Sequence, residues 1–325
     1  MHHFLFASRR QLLCCSLTRQ QVLAVSRPAT VKMASTSVTS TSSSRPLEGK
    51  LAVVTGGSRG IGASISELLA SKGAHLAINY TSPSSATKTA DLATRLSSQY
   101  NITAHAIQAD MGSTTGPSDL IEQTKSHFSP SQSSDFQIDI LIQNAGVAHD
   151  AGLDEDNLTH FDRLYYINVR GPLLLMQAAL PYLPNDRSGR VVNMSSVSST
   201  CGFKRQSMYG GTKAALEGMT KVWARELAER ATVNAVNPGP VATDMWDGVD
   251  EKFLRGINPW TVNTPLAGVR EGHDHGKTLE QAKIMGGRPA YDREIAGVVV
   301  MLCGQESAWC TGSTICANGG MKFTD

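Results

Sequence analysis

The chain passes from strand to helix within Leu51-Ala52-Val53-Val54-Thr55-Gly56-Gly57-Ser58-Arg59-Gly60-Ile61-Gly62. Residues Leu51–Thr55 are a short apolar, β-branched run that predicts a buried strand, and Ala63–Lys72 has helical spacing. The glycines between them follow a G-x3-G-x-G spacing. Glycine allows positive φ and a close approach to a pyrophosphate, and the helix N-terminus provides unpaired N–H groups. The stretch therefore predicts a phosphate site for a dinucleotide; the alternative is an ordinary turn between strand and helix.

Strand-like and helix-like patterns alternate from this turn to the C-terminus. The further predicted strands are His75–Tyr80, Ile102–Gln108, Ile138–Ile142, Arg190–Met194, Thr232–Val236 and Ser313–Ala317. The further predicted helices are Ala86–Gln99, Leu120–Phe128, Leu158–Leu183 with a break near Gly171-Pro172, Met208–Arg230 and Glu294–Cys303. This alternation predicts an α/β fold, a single Rossmann-like, doubly wound parallel sheet with helices on both faces. Ligands of such sheets bind beyond the carboxyl ends of the strands, where the polar and Gly-rich motifs fall.

Composition and charge narrow the classes of protein. The 325 residues are 41% hydrophobic and 18% charged, with a net charge of +2, so we expect a globular protein without nucleic acid or a membrane as its main partner. We find no apolar run long enough for a membrane-spanning helix. The six cysteines lack CxxC spacing, which favours free thiols in a reducing compartment.

Residues 1–46 differ in composition from the rest of the chain. They are basic, rich in Ser and Thr and free of acidic residues, so we expect a disordered segment followed by a catalytic domain over 47–325. Such a composition is typical of a mitochondrial transit peptide, whereas Arg9 and Arg10 interrupt the apolar start that a secretory signal needs. Translation from Met33 would remove most of the segment. We expect a cytoplasmic protein, with a mitochondrial location as the alternative.

The end of the second predicted strand indicates which dinucleotide binds. Proteins that bind NAD usually place an acidic residue there, which bonds the ribose 2′-hydroxyl. Here the strand leads into Tyr80, Thr81 and Ser82, without an acid. Their hydroxyls and the cation of Arg59, which lies in the glycine turn, suit a 2′-phosphate and favour NADPH. In the alternative, Arg59 merely lies on the surface.

Four polar residues further along have the chemistry of a proton-transfer site. Tyr209 and Lys213 are four residues apart on one face of a predicted helix. There the ammonium lowers the phenol pKa from its usual value of roughly 10. Ser196 lies thirteen residues before Tyr209, just after a strand, where its hydroxyl can bond a carbonyl; the neighbouring Ser195 has the same chemistry. Asn168 falls in the long predicted helix, where a buried amide needs partners.

In order and spacing these motifs resemble the short-chain dehydrogenases/reductases of the single-domain type. The resemblance covers the chain from Leu47 to the C-terminus. Within the family, the chain is similar to 3-oxoacyl-carrier-protein reductases and to the hydroxynaphthalene reductases of polyketide and melanin pathways. The matching segments are Thr55–Gly62, Asn144-Ala145-Gly146, Asn168, Ser196, Tyr209-x3-Lys213, Pro238-Gly239-Pro240-Val241-Ala242-Thr243, Thr311-Gly312 and Asn318-Gly319-Gly320.

The resemblance implies hydride transfer between NADPH and a ketone, with Tyr209 as proton donor. Ser196, selected over Ser195 by its spacing, would orient the carbonyl; Lys213 would lower the Tyr209 pKa and bind the nicotinamide ribose; Asn168 would hold a water that relays protons. A homotetramer packed through the helices of Asn168 and Tyr209 is also implied. The implied cofactor-binding residues are Gly56, Ser58, Arg59, Gly60, Ile61, Gly62, Tyr80, Thr81, Ser82, Asp110, Met111, Asn144, Ala145, Gly146, Tyr209, Lys213, Pro238, Gly239, Val241 and Thr243.

Two other functions stay open. An NAD-dependent alcohol dehydrogenase acting in the oxidative direction shares the chemistry, although the missing acid after the second strand argues against it. A non-catalytic dinucleotide-binding scaffold has no need of the catalytic set, and all four of its members are present: Asn168, Ser196, Tyr209 and Lys213.

A long stretch near the C-terminus corresponds to the part of this family that covers the substrate, and we call residues 244–288 the flap. At its tip, His273 and His275 are expected to be exposed, and we assign no metal. The motif that follows the predicted strand Ile138–Ile142 departs mildly from the family. Gln143 stands where the family usually has Asn, and Asn144 is retained. The large apolar side chains of the flap either line a pocket for an apolar or aromatic ketone or anchor the flap; they are Met245, Trp246, Phe253 and Trp260.

Overall fold

A parallel sheet forms the centre of the protein. The computed structural model describes residues 45–129, 136–247, 249 and 251–323. The strands are β1 (Leu51–Val54), β2 (His75–Tyr80), β3 (Ala104–Gln108), β4 (Ile140–Gln143), β5 (Gly189–Met194), β6 (Ala231–Pro238) and β7 (Thr314–Ala317). Their order is β3-β2-β1-β4-β5-β6-β7, and every neighbouring pair is parallel. The predicted doubly wound, Rossmann-like α/β fold is confirmed.

Helices cover both faces of this sheet. They are α1 (Gly60–Ser71), α2 (Ala86–Tyr100), α3 (Gly116–Phe128), α4 (Leu158–Tyr165), α5 (Gly171–Ala179), α6 (Ser198–Cys201), α7 (Ser207–Glu226), α8 (Asp244–Asp247), α9 (Glu251–Gly256), α10 (Asn258–Thr261), α11 (Lys277–Met285) and α12 (Asp292–Met301). Ile65 of α1 and Val299 of α12 pack with Val54 of β1, whereas Leu120 of α3 packs with Val53 on the other face. Both sides of β1 are therefore buried, which explains its unbroken apolar run.

The strand order reverses next to β1. β1 pairs with β2 on one side and with β4 on the other. In doubly wound sheets the carboxyl ends of two such strands diverge and leave a crevice in which ligands bind. The glycine turn follows β1 and Asn144-Ala145-Gly146 follows β4, so the fold brings these two motifs to the crevice.

The helix predicted over Leu158–Leu183 is interrupted earlier than expected. A π-helical turn at Tyr166–Arg170 separates α4 from α5, and a 3-10 turn at Leu180–Tyr182 follows. A π-helical turn adds a residue to the backbone ladder and is frequent at functional sites. Here it contains Asn168, one of the predicted catalytic residues.

The predicted disordered segment lies outside the described residues as far as residue 44. Within the predicted catalytic domain, residues 130–135, 248, 250, 324 and 325 also lie outside them. Within the described part, no helix combines the length and apolar character that a bilayer crossing needs. The cysteines of that part, Cys201, Cys303, Cys310 and Cys316, have free thiols.

Candidate active site

The glycine turn after β1 leaves its backbone open to a ligand. Gly56 and Gly60 have φ values of +60° and +50°, in the left-handed region that favours glycine. A Cβ on Gly62 would lie 2.3 Å from the carbonyl oxygen of Gly56, so a larger residue cannot enter without moving backbone. The fully buried Asn79 of β2 accepts a hydrogen bond from the Gly56 N–H through Oδ1, at 3.1 Å. The turn is therefore fixed from the neighbouring strand.

Hydrogen bonds join the carboxyl ends of β1 and β4. The hydroxyl oxygen of Thr55 accepts from the backbone N–H groups of Asn144 at 2.9 Å and Ala145 at 3.0 Å. In return, Asn144 Nδ2 donates to the carbonyls of Thr55 and Gly56, at 2.9 and 3.1 Å. The side chain of Asn144 thus holds the glycine turn against the end of β4.

A cleft opens over this junction and continues into a pocket. Five residues line both spaces, so the two adjoin: Ile61, Asn144, Gly146, Thr243 and Met245. The predicted cofactor-binding residues that line the cleft are Gly56, Ser58, Arg59, Gly60, Ile61, Gly62, Tyr80, Thr81, Ser82, Asp110, Met111, Asn144, Ala145, Gly146 and Thr243. Those that line the adjoining pocket include Tyr209, Lys213, Pro238, Gly239 and Val241.

The cleft suits an anionic dinucleotide. Its wall contains the start of α1, which has no side-chain cap at Arg59, so the first backbone N–H groups of the helix are available to an anion. At the other end, a Cβ on Gly146 would come within 3.3 Å of Asn168 Oδ1 and 3.4 Å of Lys213 Nζ. Glycine therefore leaves room beside the catalytic candidates, and the residues present fit a nicotinamide dinucleotide.

The four predicted catalytic residues meet where the cleft joins the pocket. Tyr209 and Lys213 lie one turn apart on α7, with the Lys213 ammonium 5.7 Å from the centre of the Tyr209 ring. Ser196 follows β5 and lines the pocket together with Tyr209, and its hydroxyl donates to Ser198 Oγ at 3.1 Å. Asn168, in the π-helical turn, donates to the hydroxyl of Thr212 at 3.1 Å. The fold thus brings residues from three separate elements to one place.

Lys213 holds its amino group in a buried position. The residue is 4% exposed, and Nζ donates a hydrogen bond to the carbonyl of Met194 at 2.8 Å. Burial lowers the pKa of Lys213 to about 8, while the carboxylate of Glu217 acts in the opposite direction.

The pKa of the Tyr209 phenol is higher than the sequence suggested. Burial raises the pKa of Tyr209 to about 12; the hydrogen bond with Ser196 lowers it and the charge of Asp150 raises it. The contributions to this pKa do not include the lowering expected from Lys213, whose role beside the phenolate stays a prediction. At neutral pH such a phenol is protonated, which suits a proton donor.

The amide of Asn168 is engaged with the loop after β4. Its Oδ1 accepts from the N–H of Val147 at 2.9 Å, and Nδ2 donates to the Val147 carbonyl at 2.8 Å and to Thr212. Both amide protons are used in these bonds. The relay water stays a prediction. It would have to bond to the second lone pair of Asn168 Oδ1 or to the backbone carbonyl of Asn168.

The two serines after β5 differ in their contacts. Ser195 donates to Glu217 Oε1 at 2.5 Å, and the same carboxylate oxygen accepts from Ser199 at 2.7 Å and Asn237 at 3.2 Å. The Ser195 hydroxyl thus belongs to a network behind Lys213. Ser196 is the serine that acts on Tyr209, because its side chain lowers the pKa of that phenol.

The flap covers a pocket of about 150 Å³ beside Tyr209. The apolar side chains of the flap both line this pocket and anchor the flap, the two roles that the sequence left open. Met245, Trp246 and Phe253 line the pocket, and Trp246 also packs edge-on against Phe253 at 6.3 Å between ring centres. Trp260 instead packs against Phe203, at 5.6 Å.

The pocket also has a polar wall. Gln206 donates a hydrogen bond to Asp150 Oδ1 at 2.8 Å, and Ser198 lies beside them. Among the described residues, Gln206 Oε1 and Trp246 Nε1 are buried without a hydrogen-bond partner. The wall therefore retains one acceptor and one donor for a polar ligand.

A buried carboxylate anchors the tip of the flap. The side chain of Asp274 is fully buried and accepts from the backbone N–H of Arg270 at 2.7 Å and from its guanidinium at 2.8 Å. Arg288 lies 3.8 Å from the same carboxylate. These arginines hold the pKa of Asp274 well below its usual range. Its neighbours His273 and His275 are exposed, as expected.

Replacing Asp274 by Asn is expected to loosen the flap. The variant removes the charge that pairs with two arginines, so we expect Tm to fall by about 5 °C and KM to rise. Because the pKa of Asp274 is lowered in the folded state, this contribution is present above its unfolded pKa of roughly 4 and is lost as pH falls. Thermal denaturation at neutral and acidic pH, with Glu271→Gln as the exposed control, measures the effect. An equal loss in both variants would contradict it.

Several residues of the site escaped the sequence analysis. Asn79 was detectable as the polar member of an apolar strand, although not as the partner of the glycine turn. Glu217 lies one helical turn beyond Lys213, which is a weak signal. Asp150 and Gln206 come from two loops that meet only in the folded chain.

Known proteins resemble this chain along most of its length. The short chain dehydrogenase model matches residues 50–253. An L-xylulose reductase from Aspergillus niger is 50% identical over 297 residues, which cover 86% of this chain and 100% of that protein. An L-xylo-3-hexulose reductase from Hypocrea jecorina is 46% identical over 301 residues, which cover 86% and 99%.

A solved structure agrees with these relatives. The blue fluorescent protein from a metagenomic library, in complex with NADPH, has a TM-score of 0.71 and 32% identity, and the match covers 86% of this chain and 100% of that one. The family model, the reductases and the shared fold lead to one conclusion. This chain belongs to the short-chain dehydrogenase/reductase family of oxidoreductases.

Proposed function

We propose that the protein reduces a ketone to an alcohol with NADPH as the hydride donor. The observation that carries the proposal is that Ser196, Tyr209 and Lys213 line one pocket, which adjoins the dinucleotide cleft. A carbonyl oxygen at this place receives two hydrogen bonds, one of them from a phenol that is protonated at neutral pH. The reductases among the relatives and the NADPH bound by a solved relative support the proposal.

Each catalytic side chain has a defined part in the proposed reaction. NADPH supplies the hydride that the carbonyl carbon receives. Ser196 donates a hydrogen bond that polarises the carbonyl, and Tyr209 transfers its phenolic proton to the oxygen as negative charge develops. Lys213 stabilises the resulting phenolate, and Asn168 holds the segment around Lys213 in place. One hydride and one proton convert the ketone to the alcohol.

Arg59 is our candidate for recognising the 2′-phosphate. Its exposed guanidinium lines the cleft together with Tyr80, Thr81 and Ser82. Replacing Arg59 by Ala is expected to weaken NADPH binding by about tenfold or more and NADH binding far less, because a charge-assisted bond contributes about 1.5–3 kcal/mol. Fluorescence titration with both cofactors measures the difference. Arg225→Ala, an exposed change on α7, is the control, and equal losses for both cofactors would contradict the assignment.

For the substrate we propose a polyhydroxylated ketone of the ketose class. Gln206 Oε1 and Trp246 Nε1, buried at the pocket wall without partners, provide an acceptor and a donor for substrate hydroxyls. The names of the two fungal relatives support a ketose. The second candidate is a 3-oxoacyl or aromatic polyketide ketone, which the apolar side chains of Met245 and Phe253 favour.

Steady-state assays with NADPH and NADH distinguish these candidates. The substrate panel consists of ketoses, a β-ketoacyl thioester, an aromatic bicyclic ketone and a simple aliphatic ketone. We expect the highest kcat/KM for a ketose with NADPH. A higher value for the thioester or the aromatic ketone would favour the second candidate, and faster oxidation of alcohols with NAD would favour the oxidative dehydrogenase. Tight NADPH binding without turnover of any substrate would favour the scaffold.

The same proposal extends to assembly and location. We propose a homotetramer, because α4 and the segment around α5 expose Leu158, Phe161, Leu173 and Leu180, apolar side chains that a helix-to-helix interface would cover. We propose residues 47–325 as the catalytic domain and the cytoplasm as its location, with a mitochondrial location if residues 1–46 act as a transit peptide. Light scattering measures the assembly, and imaging of chains started at Met1 and Met33 measures the location.

A further inference from the structure

Two histidines and one aspartate converge beside the substrate pocket. His149 and Asp156 lie in the loop between β4 and α4, and His160 lies in the first turn of α4. His149 Nε2 is 3.3 Å and His160 Nδ1 is 3.8 Å from Asp156 Oδ1, and all three atoms lie within 4.8 Å of one another. The imidazole rings are 3.8 Å apart between their centres, tilted by 41°. Three metal-ligating atoms therefore share one small space.

These three atoms are buried and lack hydrogen bonds among the described residues. His149 Nε2, His160 Nδ1 and Asp156 Oδ1 are each shielded from solvent without a hydrogen-bond partner. A carboxylate oxygen that faces two imidazole nitrogens needs a donor or a cation between them. One metal ion satisfies all three atoms together.

The surrounding charge also favours a cation. Besides Asp156, the loop carries Asp150, Asp154 and Glu155 within seven residues. Glu155 is paired with Arg205 at 2.8 Å, a contact that ties the loop to the segment before α7. Negative charge of this density raises the local concentration of divalent cations.

We propose that His149, Asp156 and His160 bind a divalent transition metal, with Zn²⁺ as the best fit. Two imidazole nitrogens and one carboxylate oxygen are ligands that Zn²⁺ accepts, with water in the fourth position. Tetrahedral ligands about 2.0–2.2 Å from the ion are roughly 3.3 Å apart. The separation between His149 Nε2 and Asp156 Oδ1 already has this value, that between His160 Nδ1 and Asp156 Oδ1 is 3.8 Å, and no two of the three atoms are more than 4.8 Å apart.

The site would stiffen one wall of the substrate pocket. The loop between His149 and Asp156 begins with Asp150, which lines the pocket and accepts the hydrogen bond from Gln206. An ion bound at both ends of the loop fixes the position of this carboxylate. The ion lies outside the set of groups that transfer the proton, so it acts on substrate fit.

Zn²⁺ titration of the chelator-treated full chain tests the proposal. Calorimetry on the wild-type chain, prepared without a histidine tag, is compared with a His149→Asn/His160→Asn variant. The control is His273→Asn/His275→Asn, which removes a second His-x-His-like pair whose intervening Asp274 is occupied by arginines. We expect the cluster variant to bind one Zn²⁺ fewer than wild type and the control to match wild type. Co²⁺ is expected to give the visible absorption of a four-coordinate site in wild type and control alone.

Stability provides a second readout. Zn²⁺ at a hundredfold excess over its Kd is expected to raise Tm by about 5 °C in wild type and control, and not in the cluster variant. Asp156→Asn keeps the size of the ligand and removes its charge, so we expect Zn²⁺ affinity to fall at least tenfold in a folded protein. Equal Zn²⁺ stoichiometry in wild type and the cluster variant, or a loss confined to the His273/His275 control, would overturn the proposal.

Discussion

Replacing Tyr209 by Phe is expected to lower kcat for ketone reduction by about 10³-fold, within the range of roughly 10²–10⁴ that a positioned general acid contributes. The substitution keeps the ring and removes the hydroxyl, which carries the transferable proton in the pocket that Ser196 also lines. NADPH affinity is expected to change little, because the glycine turn and Arg59 lie at the other end of the cleft. The decay of NADPH absorbance and a fluorescence titration measure the two quantities.

Tyr182→Phe is the matched control for this experiment. Its hydroxyl contacts Lys125 at 3.3 Å, and its ring packs on Phe136, outside the linings of the cleft and the pocket. This variant is expected to turn over like wild type. Turnover close to wild type in Tyr209→Phe as well would remove Tyr209 from the role of acid.

Gly62→Ala is expected to weaken NADPH binding by about 10- to 100-fold. The added Cβ would meet the Gly56 carbonyl oxygen at 2.3 Å and Asn144 Nδ2 at 2.6 Å, so the turn and its anchor to β4 must shift. Overpacking of this kind costs roughly 1–3 kcal/mol, and each 1.4 kcal/mol is a tenfold change in affinity. Titration with NADPH and thermal denaturation are the measurements.

Gly218→Ala is the control for Gly62→Ala, because it adds the same methyl group where there is room for it. Gly218 is exposed on α7, and a Cβ there meets nothing within 4 Å. Gly218→Ala is therefore expected to raise the free energy of unfolding by about 0.5–1 kcal/mol and to leave NADPH affinity unchanged. If Gly62→Ala also bound NADPH like wild type, the turn would not be the phosphate site.

Local patterns were enough to predict the sheet and the motifs that line the cleft. The apolar run of β1, the glycine spacing and the alternation of strands and helices are properties of neighbouring residues. A parallel sheet then places every strand end on one edge, so the motifs after β1, β4 and β5 had to lie close together. The pairing of Tyr209 with Lys213 follows equally from helical spacing.

Properties that depend on distant residues could not be predicted. The pKa of Tyr209 is governed by burial, which depends on the flap and the pocket walls rather than on Lys213 four residues away. The ion pairs of the buried Asp274 include Arg288, which lies beyond α11. The His149, Asp156 and His160 cluster depends on how the loop after β4 turns back onto α4, for which the sequence has only the i, i+4 spacing of its last two members.

The cofactor cleft can form only late in folding. Its floor is the contact between Thr55 and Asn144, which are 89 positions apart in the chain. The glycine turn and the first strand pair therefore leave the ribosome well before their partner strand has been synthesised. Closing a loop of this length for parallel pairing is slow, so the nascent N-terminal half waits as an unfinished sheet with an open edge. A dinucleotide bound in the cleft as proposed would contact both strand ends, so it would stabilise the protein only after that edge has been paired.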